Sequence, residues 1–212
     1  MQNKFLLLII IIFSVLQAGC SNRNISEISI IFENNPTLNQ EIELISLLDQ
    51  QFSYKELKKF IKEQSWIETY LIRRYPSNSI QIYIRSRKPQ YVWRDHFYLT
   101  SDLSKFSYDG GYPELIRLNV PIDLVDQWVN VEQKFKVLLR DYNFEIVLVN
   151  FQTSEGWYLL TKNNLRINIG SEFSSEVHKK LSLTLKYMFE NNLTPSIIDL
   201  RYKDGAALNY GK

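Results

Sequence analysis

Residues that carry metal sites, disulfides and nucleophilic chemistry are scarce in this chain. Its 212 residues include one cysteine, two histidines, two methionines, seven glycines and six prolines. A lone cysteine, Cys20, excludes any disulfide within the chain and any cysteine-based metal site. So few glycines and prolines exclude a long low-complexity linker. No charge of one sign dominates. The 25 basic and 23 acidic residues leave a net charge of +2, without the clustered basic excess of a nucleic-acid footprint. The one local cluster, Arg85-Ser86-Arg87-Lys88, reads as a solvated strand end. No uninterrupted 20-residue apolar run exists either, although 45% hydrophobic and 14% aromatic residues are ample for a packed core.

What is present begins at the N-terminus. Lys4 precedes Phe5–Leu16, which only Ser14 interrupts. No charge occurs from Phe5 through Asn22, and those residues would reach ~27 Å as a helix, adequate for a thin bilayer core. Residues 1–22 therefore read as a signal anchor, with Lys4 inside and the bulk of the chain exported. The end of this segment, Val15-Leu16-Gln17-Ala18-Gly19-Cys20, offers a second reading, in which Cys20 is lipidated and the segment cleaved. Ala18-Gly19-Cys20 fits that reading. Gln17 stands where an aliphatic residue is wanted.

Downstream, Ile28–Phe32 alternates as a strand, and Asn34-Asn35-Pro36 breaks it. Thr37-x-x-Gln40 offers a capping box for a helix striped by Leu38, Ile42, Ile45 and Leu48. Ser53-x-x-Glu56 opens a second helix with Leu57, Phe60 and Ile61 on one face. Strands follow near Trp66–Arg73 and Ile80–Arg85, separated by a turn at Pro76. From Tyr91 the texture changes to short aromatic strands and a turn at Tyr108–Gly111. Helices are expected over Leu124–Tyr142 and Ser175–Glu190. Strands are expected at Glu145–Asn150, Trp157–Thr161 and Leu165–Ile169, then Ile198–Tyr202, a turn at Lys203–Gly205, and a returning strand Ala206–Tyr210. The fold class is α+β: an anchor (1–22), a small β-α-α-β-β domain (23–90), and a mixed β domain with antiparallel strands and two helices (91–212).

Catalytic constellations are missing from this pattern. His96 and His178 have no companions at ligand spacing, no Gly-rich phosphate loop or nucleophile elbow occurs, and the tryptophans fall on apolar faces. The chain reads as non-enzymatic, with no cofactor, metal or small-molecule substrate. A binding surface is suggested instead by its ending in strand, turn and strand, because a terminal strand tends to form a sheet edge with unpaired backbone groups. An ordinary closing hairpin is the competing reading.

Several stretches resemble the FtsQ (DivIB) family of bacterial cell-division proteins. They are Ser65–Pro76 with Ile80–Ile84 and Lys88-Pro89…Trp93, the hairpin Trp157–Leu160 with Leu165–Gly170, and the terminus Asp199–Ala207. They follow the family's order over nearly the whole chain. The resemblance implies a single-pass inner-membrane protein with a POTRA domain at residues 23–90 and the bulk of the chain periplasmic at the division septum. Its role there is a divisome scaffold binding FtsB-like and FtsL-like proteins, and it favours an uncleaved anchor. It implies a partner strand added at the terminus, with contacts at Tyr202, Asp204, Gly205, Ala206, Ala207 and Tyr210. Gly205 would permit the turn. Ser86 and Asn164 depart from the family pattern, which has Glu and Gly there. The alternative is a POTRA-bearing lipoprotein or polypeptide-binding assembly factor of the envelope.

Overall fold

The structure, a computed structural model, describes residues 25, 27–47 and 53–211. The expected anchor with Cys20, and Leu48 of the first helical stripe, lie outside the described residues. Among those described, no helix is long and apolar enough to cross a membrane. The chain divides into two compact units between Arg87 and Lys88.

The first unit runs β1 (Glu27–Phe32), α1 (Asn39–Leu47), α2 (Tyr54–Glu63), β2 (Ile67–Arg74) and β3 (Ser79–Ser86). Its sheet has the order β1-β3-β2, with β1 parallel and β2 antiparallel to β3. Ile80, Ile82 and Ile84 are buried at alternate positions of β3, as the period of two requires. Ser53 and Glu56 form the expected capping box on α2, whose Leu57 and Ile61 are buried.

The first helix differs from expectation. Its inward residues are Leu38, Glu41 and Leu44, whereas Ile42 and Ile45 are 56% and 46% exposed. The Glu41 carboxylate turns back to accept from the amides of Thr37 (2.6 Å) and Leu38 (2.8 Å), and also from the Ser86 hydroxyl. The cap is therefore made from within the first turn, one residue out of step with Thr37-x-x-Gln40, and it rotates the buried face. Ser86 keeps a partner despite standing where the family carries Glu.

The second unit runs β4 (Tyr91–Trp93), β5 (Phe97–Leu99), β6 (Lys105–Ser107), β7 (Arg117–Asn119), a 3-10 turn (Ile122–Leu124), α3 (Val125–Arg140), β8 (Ile146–Gln152), β9 (Gly156–Thr161), β10 (Arg166–Gly170), α4 (Ser175–Glu190), β11 (Ile197–Asp199) and β12 (Ala207–Asn209). Its nine strands form one sheet, ordered β12-β11-β10-β9-β8-β7-β4-β5-β6. β6 and β7 offer one apolar residue each, Phe106 and Leu118, too little for a pattern to register in the sequence, unlike the aromatic triplets of β4 and β5. The main core joins α3 and α4 to one sheet face. Trp128 and Phe135 of α3 and Val177, Leu181, Leu185 and Met188 of α4 pack with Val149, Trp157, Leu159, Ile167 and Ile198. Each such side chain contributes about 1.5–3 kcal/mol on burial. All four tryptophans are buried. The architecture is α+β with mixed sheets, consistent with a POTRA domain followed by a β domain.

Candidate functional site: the open edge of the C-terminal sheet

The site is built by the crossover β10–α4–β11. Ser174 caps α4 by accepting from the Val177 amide (3.2 Å), and the stripe Val177, Leu181, Leu185 and Met188 lays the helix on the sheet. Because α4 joins two parallel strands, it runs antiparallel to both. Its N-terminal half thus lies where β11 ends. There Lys180 Nζ donates to the carbonyls of Leu200 (3.0 Å) and Tyr202 (2.8 Å), fixing the start of the β11–β12 turn. Asp199 holds the same turn from the other face. Its carboxylate accepts from the Arg201 amide (3.1 Å) and guanidinium (2.5 Å), and from Asn168 Nδ2 (3.3 Å). The Arg201 contact, opposed by burial, holds the Asp199 carboxyl below its ordinary range. A groove of about 500 Å³, bordered by Glu155, Gly170, Lys180 and Arg201, adjoins this turn.

β12 pairs antiparallel with β11, in the register Ile197↔Asn209, Ile198↔Leu208 and Asp199↔Ala207. Which groups β12 leaves open follows from β11. The Ser196 carbonyl accepts from Arg166, and the Leu200 amide donates to Asn168 (both 2.9 Å), so the backbone groups of Ile198 face β10. By alternation Ile197 and Asp199 face β12, and their partners Asn209 and Ala207 face back. The N–H and C=O of Leu208 therefore point away from the sheet. Among the described residues, no strand pairs with that edge. Its side chains divide by face. Leu208 and Ala206 pack against the helix-side core, while Ala207 and Asn209 share the opposite face with Asp199.

The six residues expected at the contact all lie along this terminal stretch, with differences of detail. Tyr202 falls outside any strand, in the turn, because β11 ends at Asp199; it is 60% exposed, and Tyr210 is 55% exposed. The returning strand is Ala207–Asn209, shorter than Ala206–Tyr210. Asp204 is exposed, Gly205 and Ala206 are half-buried, and Ala207 is exposed. Gly205 does not carry the role expected of it. It lacks a positive φ, and a Cβ there would meet nothing within 4 Å. The Asp199 and Lys180 hydrogen bonds shape this turn instead. Sequence reasoning placed the partner ladder on the backbone of residues 206–210 without singling out Leu208, and it missed Lys180. Leu208 was hidden inside a strand whose register alone singles it out, and Lys180 is one of many helix lysines until the fold brings it to the turn.

Among the described residues, no cluster of histidine, cysteine, aspartate and glutamate is placed to hold a metal. His178 packs edge-on against Phe135, with ring centroids 5.4 Å apart.

No protein-family profile matches the chain. Several curated proteins do, all named Cell division protein FtsQ. The chain is 25% identical over 169 residues to that of Blochmanniella floridana, covering 73% of this chain and 61% of the relative. It is 20% identical over 151 residues to that of Neisseria meningitidis, covering 68% and 62%. It is 22% identical over 162 residues to that of Coxiella burnetii, covering 75% and 67%. The chain spans about 60% of the length of the first curated relatives it matches.

Proposed function

These relatives support an FtsQ-family assignment and a role in cell division, and from that premise we propose that the chain is a non-enzymatic divisome scaffold. It is held in the inner membrane by residues 5–22, with its POTRA and β domains in the periplasm. It recruits an FtsB-like protein, together with an FtsL-like one, to the septum. The partner adds a strand to β12. The observation that carries this reading is the outward-facing N–H and C=O of Leu208 on a terminal edge strand. Each backbone hydrogen bond to an added strand contributes about 0.5–1.5 kcal/mol net, so a short edge needs side-chain anchors as well. Tyr202 and Tyr210 supply exposed aromatic surface at its two ends.

The test is co-purification of the full chain with the FtsB-like protein of its host. Tyr202→Ala removes an anchor. Gly205→Lys places a charged side chain on the turn where the fold has room for it. Both should cut recovery at least tenfold while the melting temperature holds. Unchanged recovery with both variants removes β12 and its turn as the contact.

A further inference from the structure

Charge on α2 is segregated around the helix. At 3.6 residues per turn, measured from the middle of the buried pair Leu57 and Ile61, Lys58, Lys62 and Lys55 lie about 80°, 120° and 140° around one flank. Glu56 and Glu63 lie about 120° and 140° around the other, and Lys59 lies opposite the buried pair. All four lysines are exposed. Lys59 is spent on Glu63 (3.8 Å), and among the described residues Lys55, Lys58 and Lys62 have no ion pair. Tyr54, about 40° around on the lysine flank, carries the Arg74 guanidinium over its ring, 4.8 Å from the centroid. That contact joins the lysine flank to the end of β2, because Lys58 is the i+4 neighbour of Tyr54.

The end of β2 is also where the chain enters the first unit. β1 runs parallel to β3 and starts with Glu27 opposite Ser79, while Arg74 of β2 stands opposite Ile80. Arg74 is therefore two strand spacings, ~10 Å, from Ile28. Tyr75, 45% exposed, follows it into the β2–β3 turn. A groove of about 510 Å³ bordered by Glu27, Tyr75, Pro76 and Ser77 places that turn beside the start of β1. Five residue steps separate Asn22, the last of the uncharged segment, from Glu27, and they span at most ~18 Å.

We propose that α2 and the β2–β3 turn dock the first unit on a bilayer surface of anionic phospholipid. Lys55, Lys58, Lys62 and Arg74 meet the headgroup phosphates, and Tyr75 sits at the interface. The proposal rests on the anchor reading of residues 5–22 and goes beyond it, since an anchor sets how far the unit can stand from the bilayer and not which face it turns there. Unpaired cations feel an anionic surface within about one Debye length, ~8 Å at physiological salt, and each strengthens the attraction about fivefold. The tether keeps the unit inside about 18 Å, so the surface is always present at high effective concentration. An amphipathic tyrosine ring suits the headgroup level. The α2 carboxylates lie on the other flank, and Glu27 stands on β1, across the sheet from Arg74, so little like charge opposes this orientation.

The full chain is reconstituted into vesicles of phosphatidylcholine alone or with about 30% phosphatidylglycerol. Flotation reads attachment, and lysine acylation followed by mass spectrometry reads docking. The chain should float with both compositions. Lys55 and Lys58 should be acylated at least threefold more slowly on the phosphatidylglycerol vesicles, measured against the exposed Lys162. Arg74→Glu leaves both reporter lysines in place and should reduce their protection, as should about 1 M salt, where the Debye length falls to ~3 Å. Flotation with both compositions but equal acylation on them overturns the docking and leaves the anchor standing. Protection that Arg74→Glu does not change overturns the assigned surface. Flotation with phosphatidylglycerol alone overturns the anchor; if Arg74→Glu with Lys58→Glu then abolishes it, the docking stands, and if not, both fall. No flotation with either composition overturns both.

Discussion

Gly156→Ala isolates one position on which the second unit depends. Gly156 opens β9 opposite Gln152 of β8, beside the irregularity between Asn168 and Gly170 of β10. Its φ is +79°, and a Cβ there would lie 2.2 Å from the Gly170 carbonyl oxygen and 2.4 Å from the carbonyl carbon. Holding an L-residue in the left-handed region costs about 1–2 kcal/mol. The overlap is with backbone, so it cannot be relieved by a rotamer change; forcing β9 and β10 apart adds about 1–3 kcal/mol, the usual cost of overpacking. A loss of about 2–5 kcal/mol is expected, a large share of the ~5–15 kcal/mol that holds a typical domain folded. Urea denaturation of the full chain, followed by tryptophan fluorescence, measures it. Gly205→Ala, where the Cβ meets open space, is the control and should stay within about 0.5 kcal/mol of wild type. A Gly156→Ala loss below about 1 kcal/mol would refute the reasoning, because the close approach of β9 to β10 would then not constrain the sheet.

Glu41→Ala should destabilise the first unit by about 2–4 kcal/mol in the same denaturation, since it removes one carboxylate acceptor from two backbone amides and from Ser86. The Asp199 carboxyl is held below its ordinary value, so its contribution is whole above about pH 4 and is lost as the pH falls through the folded-state value. Asp199→Asn should therefore lower stability at pH 7, where that contribution is whole, and flatten the acid limb so that variant and wild type converge below about pH 4. An unchanged acid limb would count against the Asp199–Arg201 clamp.

Local chemistry was legible wherever it was decided within a few residues. The Ser53–Glu56 box, the alternation of Ile80, Ile82 and Ile84, and the stripe of α4 each needed only neighbours in sequence. The first helix was misjudged because Glu41, which has no place in its apolar stripe, turns inward to bond the amides preceding it. β6 and β7 were invisible because each has a single apolar residue between polar ones, whereas the equally short β4 and β5 are marked by their aromatics. At the candidate site, the terminal strand and its exposed aromatics could be anticipated. The turn's dependence on Lys180 and Asp199, and its independence of glycine at 205, could not.

The sequence by itself determined the α+β class, most helices and strands, and the place of the last strand in the chain. These follow from hydrophobic period and capping, which are short-range. Only the tertiary structure decided that β12 is an edge and that Leu208 is the residue whose backbone faces outward. Strand order and register are fixed by pairing between segments up to 52 residues apart, as Glu27 with Ser79, and such pairing leaves no trace in the local pattern of either partner.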